Sequence, residues 1–189
     1  MQTHFTDAQR TAPAVQRSES AIRKCVHCGF CTATCPTYVL LGDERDSPRG
    51  RIALIQNMLE AGGTPDAATV RHVDRCLSCL ACTTTCPAGV DYAQLIDHGR
   101  AYIAEHHERP WHDRLMRWTL AAVLPHRDRF RAALALAPLG RLVQPLLART
   151  AATRPLAAML ALAPRQLPKS EPAPTTTHQR RVLMLRGCA

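Results

Sequence analysis

The chain has 189 residues, 46% hydrophobic, 21% charged and 4% aromatic, with a formal net charge of +9. That length holds one or two domains. The composition excludes collagen and coiled-coil rods and argues against a transmembrane protein. With few aromatics, a core has to come from Leu, Ala, Val and Ile. Charge is uneven: residues 1–99 carry nine Lys+Arg against ten Asp+Glu, and residues 100–189 carry fifteen against five. The basic half suits nucleic acid, an anionic membrane surface or an acidic partner, and solvated Arg faces on helices account for it equally well.

In chain order, residues 1–20 are polar and read as a lead-in with a short helix before Cys25. Ser47-Pro48 opens a helix, with Ser47 as N-cap and Pro48 in its first position. Ile52, Ile55 and Leu59 follow at helical spacing, and Gly62-Gly63 stops it. Thr64-Pro65 repeats the start signal for a helix carrying Val70, Val73 and Leu77. Asp91 caps a third, with Tyr92, Leu95, Ile96, Tyr102 and Ile103 on its apolar side. Residues 111–163 are rich in Leu, Ala and Arg. Pro110, Pro125, Pro138, Pro145 and Pro155 are expected to cut them into short helices. Pairs such as Leu115 and Trp118, or Leu142 and Leu146, form an apolar stripe with Arg opposite. Four prolines between Pro164 and Pro174, then three Thr, predict an extended linker. Arg181–Leu185 reads as a buried strand, and Gly187-Cys188-Ala189 closes the sequence. One strand makes no domain, so the expectation is a chain cut off as a second domain begins.

Nine cysteines decide the reading. Met1–Asp7 has neither a basic n-region nor an apolar h-region, so no secretory signal is expected. The longest charge-free run, Cys25 to Gly42, contains four Cys and is no membrane span. A soluble or peripheral protein of a reducing compartment is expected, where clustered Cys bind metal more often than they pair. Eight Cys fall into two identical frames, Cys25-x₂-Cys28-x₂-Cys31-x₃-Cys35-Pro36 and Cys76-x₂-Cys79-x₂-Cys82-x₃-Cys86-Pro87. This is the run of bacterial two-cluster ferredoxins, whose fourth Cys ligates the other cluster. Exchange gives one [4Fe-4S] cluster on Cys25, Cys28, Cys31 and Cys86, and another on Cys76, Cys79, Cys82 and Cys35. Small residues between the ligands (Gly29, Thr32, Ala33, Ser78, Ala81 and Thr83) let backbone N–H groups approach the sulfides. Zinc needs only four ligands per site and gives no reason for the complete frame twice.

His27 is surplus as a ligand and reads as solvated or as a hydrogen-bond donor to the cluster surroundings. Arg49 and Arg51 offset cluster charge or meet a donor protein on one reading and are exposed arginines of a well-capped helix start on the other, and the two readings are compatible. Cys188 alone is ambiguous between ligand and buried thiol. The sequence has no nucleophile–base pair, no phosphate-cradling Gly loop and no G-x-G-x-x-G fingerprint, so no substrate-oxidising or other catalytic site is expected on this chain.

The wording of these motifs resembles the N-terminal part of the iron–sulfur subunit of bacterial glycolate oxidase (glycolate dehydrogenase). The resemblance rests on Met1-Gln2-Thr3, the stretch Cys25 to Tyr38, Asp46-Ser47-Pro48-Arg49-Gly50-Arg51-Ile52, Asp74-Arg75-Cys76-Leu77 and Arg181 to Ala189. It implies a mainly α fold: an α-helical ferredoxin module with two [4Fe-4S] clusters, short helices, and an incomplete α/β start. The implied organisation is a lead-in at 1–20, the two-cluster domain at 21–108, a Leu/Ala/Arg-rich helical segment at 109–163, a linker at 164–180, and at 181–189 the first strand of a truncated Cys-Cys-Gly-type domain. It implies electron transfer from flavin-containing subunits that oxidise glycolate to glyoxylate, toward a quinone or other acceptor. The expected location is cytoplasmic or peripheral on the cytoplasmic face of the inner membrane, and the net positive charge and Leu stripes of residues 111–163 suit anionic lipid or the flavoprotein. Another helical-ferredoxin subunit is the alternative, like that of heterodisulfide reductase or anaerobic glycerol-3-phosphate dehydrogenase. A zinc scaffold that binds nucleic acid is less favoured, because only Trp111 and Trp118 offer fused rings for base stacking.

Overall fold

The computed structural model describes residues 1–150 and 152–164. The expected strand at 181–189, Cys188 and all but the first residue of the expected linker lie outside the described residues. Every regular element among the described residues is helical, so the fold is mainly α. The chain divides into two compact units, residues 1–108 and residues 109 onward.

In the first unit, α1 (Asp7–Arg10) and α2 (Pro13–Lys24) precede the first cysteine frame. The frame contains α3 (Phe30–Ala33) and leads into α4 (Pro36–Leu41). A 3₁₀ turn at Glu44–Asp46 then meets α5 (Pro48–Ala61). Ser47 caps α5 by accepting from the Gly50 N–H at 2.9 Å, and Pro48 takes the first position, where no N–H is needed. α6 spans Ala67–Asp74, α7 spans Ala81–Thr84 within the second frame, and α8 spans Tyr92–His106. The N-cap of α6 is Asp66, which accepts from the Ala68 and Thr69 N–H groups, both at 2.9 Å. The start signal expected at Thr64-Pro65 is thus two residues early, because the Asp66 carboxylate satisfies two orphan N–H groups at the start of α6. Asp91 caps α8 as expected, accepting from Gln94 N–H at 3.2 Å.

The core lies where α5 packs on α6 and α8, and α2 on α8. Ile22, Ile55, Val73, Leu95 and Ile103 are completely buried. Each contributes roughly 1.5–3 kcal/mol of apolar burial. The polar N-terminal stretch is more than a lead-in: Phe5 enters this core, and buried Ser18 on α2 meets His98 Nδ1 on α8 at 2.6 Å. One backbone approach is very close. A Cβ at Gly50 would lie 2.0 Å from the Glu44 carbonyl oxygen and 3.0 Å from Arg45 Cα, so the 3₁₀ turn rests directly on the bare backbone of α5.

In the second unit, α9 (Trp111–Val123), α10 (Arg127–Leu147) and α11 (Arg154–Leu162) follow. Pro138 and Pro145 lie inside α10, so these two prolines do not cut the segment as expected. Each removes one N–H bond, but the Leu and Ala around them are strong helix formers and keep the helix running. α11 packs on α10, and the Arg141 guanidinium donates to the carbonyls of Leu160 and Ala163 at its end. Among the described residues of this unit only Ala137 and Ala157 are buried; the stripe residues Leu115, Trp118, Leu142 and Leu146 are exposed.

Candidate metal centre

The two frames adopt the same backbone course, offset by 51 positions. His27 and Ser78 share a left-handed conformation, with φ of 55° and 50°. Gly29 and Leu80 share the next, with φ of 87° and 56°. Glycine takes this region without strain, whereas His27, Ser78 and Leu80 each cost about 1–2 kcal/mol there. Left-handed residues of this kind are the backbone ingredient of nests, the N–H concavities that receive anions and Fe–S sulfides. Thr32 and Thr83 then donate to the Gly29 and Leu80 carbonyls, both at 2.7 Å. Thr34 and Thr85 donate to the Cys31 and Cys82 carbonyls and meet each other at 3.4 Å between hydroxyl oxygens. The first cysteine of each frame is clamped by a cation: the Met1 ammonium donates to Cys25 O at 2.7 Å, and Arg100 to Cys76 O at 2.5 Å.

The eight cysteines are free thiols gathered around two cavities. Cys25, Cys28, Cys31 and Cys86 line the first, with Ile52, Pro48 and Val90 as its apolar floor. Cys35, Cys76, Cys79 and Cys82 line the second, with Arg51. The fourth cysteine of each frame therefore faces the cavity of the other frame. Cys82 and Tyr92, with Pro48, line both and form the wall between them. Cys28 and Cys79 are exposed, whereas Cys25, Cys35 and Cys82 are buried. Burial, then the neighbouring Cys31, Cys76 and Cys35, push the Cys82 thiol up to about 12. Burial also raises Cys31. Burial pushes Cys35 up too, but the Thr37 hydroxyl, the Tyr38 N–H and Arg51 outweigh it and hold that thiol below its ordinary value. A thiol-only donor set on loops with paired left-handed turns suits an iron–sulfur cluster. Four thiolates also satisfy zinc, but zinc has no sulfide for such turns to serve.

Behind Cys35 lies a buried ion network that sequence reasoning left unassigned. Arg51 is 1% exposed, not an exposed arginine of the helix start. Its Nε donates to His72 O at 2.7 Å, and its Nη2 donates to Thr37 Oγ1 at 3.0 Å and Asp46 Oδ1 at 3.3 Å. Its Nη1 lies 3.8 Å from Cys35 Sγ. Asp46, fully buried, also accepts from Arg75 Nη1 at 2.9 Å and meets His72 Nδ1 at 2.9 Å. Asp43, Asp46 and His72 approach one another closely enough for a cation. With two guanidinium groups already on Asp46, the trio reads as an ion-pair network rather than a second metal site. Arg49, by contrast, is partly exposed and paired with Glu44 at 2.5 Å, and it donates to His27 O at 3.3 Å. His27 Nε2 itself lies 2.7 Å from Met1 Sδ, and burial followed by Arg49 lowers its pKa. Tyr92, expected only as an apolar helix residue, brings its hydroxyl to 3.6 Å from Cys76 Sγ. The sequence signal for the network was the run Asp46 to Arg51, which pairs an acid with a base five residues away.

Residues 21–90 match the family model described as a 4Fe-4S dicluster domain. That sets the class: an α-helical protein with a ferredoxin-type 4Fe-4S domain. Over all 189 residues the chain is 45% identical to the glycolate oxidase iron-sulfur subunit of Escherichia coli (strain K12), of which it spans 44%. Over 120 residues, 62% of the chain, it is 39% identical to the probable glycolate oxidase iron-sulfur subunit of Bacillus subtilis (strain 168), covering 27% of that protein. The chain thus spans less than half the length of these relatives, and its likeness to the Escherichia coli subunit extends over its whole length. No solved structure matches it.

Proposed function

We propose that the chain is an electron-transfer part of a glycolate-oxidising complex and holds two [4Fe-4S] clusters. Cys25, Cys28, Cys31 and Cys86 are the ligands of one, and Cys76, Cys79, Cys82 and Cys35 those of the other. The observation that carries this reading is the meeting of three thiols from one frame with the fourth of the other at each cavity. The likeness to glycolate oxidase iron–sulfur subunits supports the choice of complex. Bound there, the clusters supply one-electron carriage between a two-electron flavin donor and an acceptor. The chain's own part is to hold the thiolates, aim N–H groups inward and exclude water. Its partners in this reading are flavin-containing subunits that oxidise glycolate to glyoxylate, with a quinone or other acceptor downstream.

The proposed organisation remains a two-cluster domain at 21–108 after the 1–20 segment, then the helical segment 109–163, the linker 164–180 and the start of a further domain at 181–189. The proposed location is the cytoplasm, with residues 111–163 as a peripheral contact. No helix among the described residues is long and apolar enough to cross a membrane. The exposed Leu and Trp of that segment, with eight Arg against two Asp, suit an anionic lipid surface or the flavoprotein.

The test is anaerobic co-purification with the flavin subunits, addition of glycolate, and EPR against a dithionite-reduced control. Reduction of two interacting [4Fe-4S] centres by glycolate is the expected result. Reduction by dithionite alone would remove the glycolate donor from the reading. A colourless protein with bound zinc would overturn the cofactor assignment.

A further inference from the structure

The two cavities are alike in backbone and unlike in what surrounds their sulfurs. In the second cavity, Cys35 Sγ lies 3.8 Å from Arg51 Nη1 and 3.2 Å from the Thr37 hydroxyl, and Cys76 Sγ lies 3.6 Å from the Tyr92 hydroxyl. Among the described residues, no side chain makes a hydrogen bond to the sulfurs of Cys25, Cys28, Cys31 or Cys86. Charge differs in the same sense. The network behind Cys35 sets the buried Arg51 and the partly exposed Arg75 against the buried Asp46, with the Asp43–Arg45 pair beside His72 at its edge. Arg49, the cation nearest the first cavity, is one-third exposed and neutralised by Glu44. The clamps on Cys25 O and Cys76 O match each other and do not set the cavities apart.

We infer that Arg51, assisted by Tyr92, makes the Cys35 cavity the more oxidising of the two, so that the first electron taken up rests there. The inference builds on the two-cluster assignment above. A cluster gains one negative charge on reduction. A desolvated cation and hydrogen bonds to the thiolates stabilise that charge and raise the potential. Water screens Arg49 far more than it screens Arg51. Uptake is one electron per cluster, with no bond made or broken. Arg51 touches a ligand rather than a substrate and is a positioning residue.

The test is an EPR-monitored redox titration of the anaerobically reconstituted full chain, reduced with dithionite and reoxidised with ferricyanide, with iron and acid-labile sulfide measured alongside. Wild-type protein should show two separate one-electron steps. Arg51→Gln should lower the upper step by at least tenfold in its equilibrium, about 59 mV for one electron, and leave the lower step in place. Arg51→Lys should restore most of the difference. Tyr92→Phe removes one hydroxyl without removing volume and should lower the same step by less. If Arg51→Gln loses its iron, Arg51→Lys and Tyr92→Phe decide the matter by whether the upper step falls while the lower one stays in place. Full iron content with the upper step unmoved, or movement of the lower step instead, overturns the inference. Wild-type iron and sulfide short of two clusters overturns the assignment beneath it, and the inference with it.

Discussion

Replacing Asp46 with Asn isolates the electrostatic part of the network, because the two side chains have nearly the same volume and open no cavity. Asp46 is fully buried and is the one carboxylate that Arg51 and Arg75 both contact. Removing one partner of a buried ion pair destabilises by about 3–5 kcal/mol, chiefly because the other charge is stranded. Arg75 is 41% exposed and turns to water, so only Arg51 is stranded and the lower figure, about 3 kcal/mol, applies. For a unit of this size that is roughly 12–24 °C in Tm. Anaerobic thermal and urea unfolding of iron-loaded protein, followed by circular dichroism, measures it. The double variant Asp46→Asn with Arg51→Met removes the stranded charge. It leaves the His72 carbonyl and the Thr37 hydroxyl oxygen without the Arg51 donor, losses that the Arg51→Met single shares, and should recover about 2 kcal/mol relative to the sum of the two singles. A single-variant loss below about 1 kcal/mol, or additivity within about 0.5 kcal/mol, would refute the reasoning.

Other outcomes follow from separate features. Cys35→Ser should remove or alter the EPR signal of the cluster made mostly by the second frame; loss confined to the first-frame cluster would rule out the exchanged pairing. Gly50→Ala should destabilise by more than the usual overpacking range of about 1–3 kcal/mol, because its Cβ meets backbone that no rotamer change relieves; an unchanged melting temperature would contradict the close approach. Asp66→Ala should cost about 1 kcal/mol in urea unfolding through loss of the α6 cap. Burial, then Arg17, lowers the pKa of His98. The unfolded chain therefore binds a proton near pH 6.5 that the folded chain refuses. Stability is retained above that pH and falls as pH drops from 7.5 toward the lowered value. Thermal melts at pH 7.5 and 5.5 should show a smaller difference in His98→Asn than in wild type; an equal difference would exclude His98 as a source.

What could be read along the chain was what short spacing determines. Ser47-Pro48 and Asp91 begin helices because a cap acts on N–H groups two or three residues away. The cysteine frames are equally local, since three ligands occupy one seven-residue loop. Arg51 could not be placed in the same way. Its burial depends on Asp46, Thr37, the His72 carbonyl and Cys35, which α4, α5 and α6 bring together from 16 residues before it to 21 after. The left-handed turn at Leu80 runs against the preference of a bulky side chain, and only its alignment with Gly29 hints at it. In the basic half, proline position was a poor guide because Ala and Leu on either side outweighed two lost bonds in α10.

The wall formed by Cys82 and Tyr92 has a consequence for speed. Tyr92 is 4% exposed and belongs to the same buried cluster as Ile52, Ile55 and Leu95, so the partition between the cavities is made of the core itself. A partition of tightly packed, poorly polarisable side chains changes little when charge moves from one side to the other. Few water dipoles stand there to be reoriented. In the proposed role, passage between the two centres would require neither a hinge nor a docking event within the chain. The slow steps would then fall at its outer edges, where exposed Cys28 and Cys79 face the surroundings.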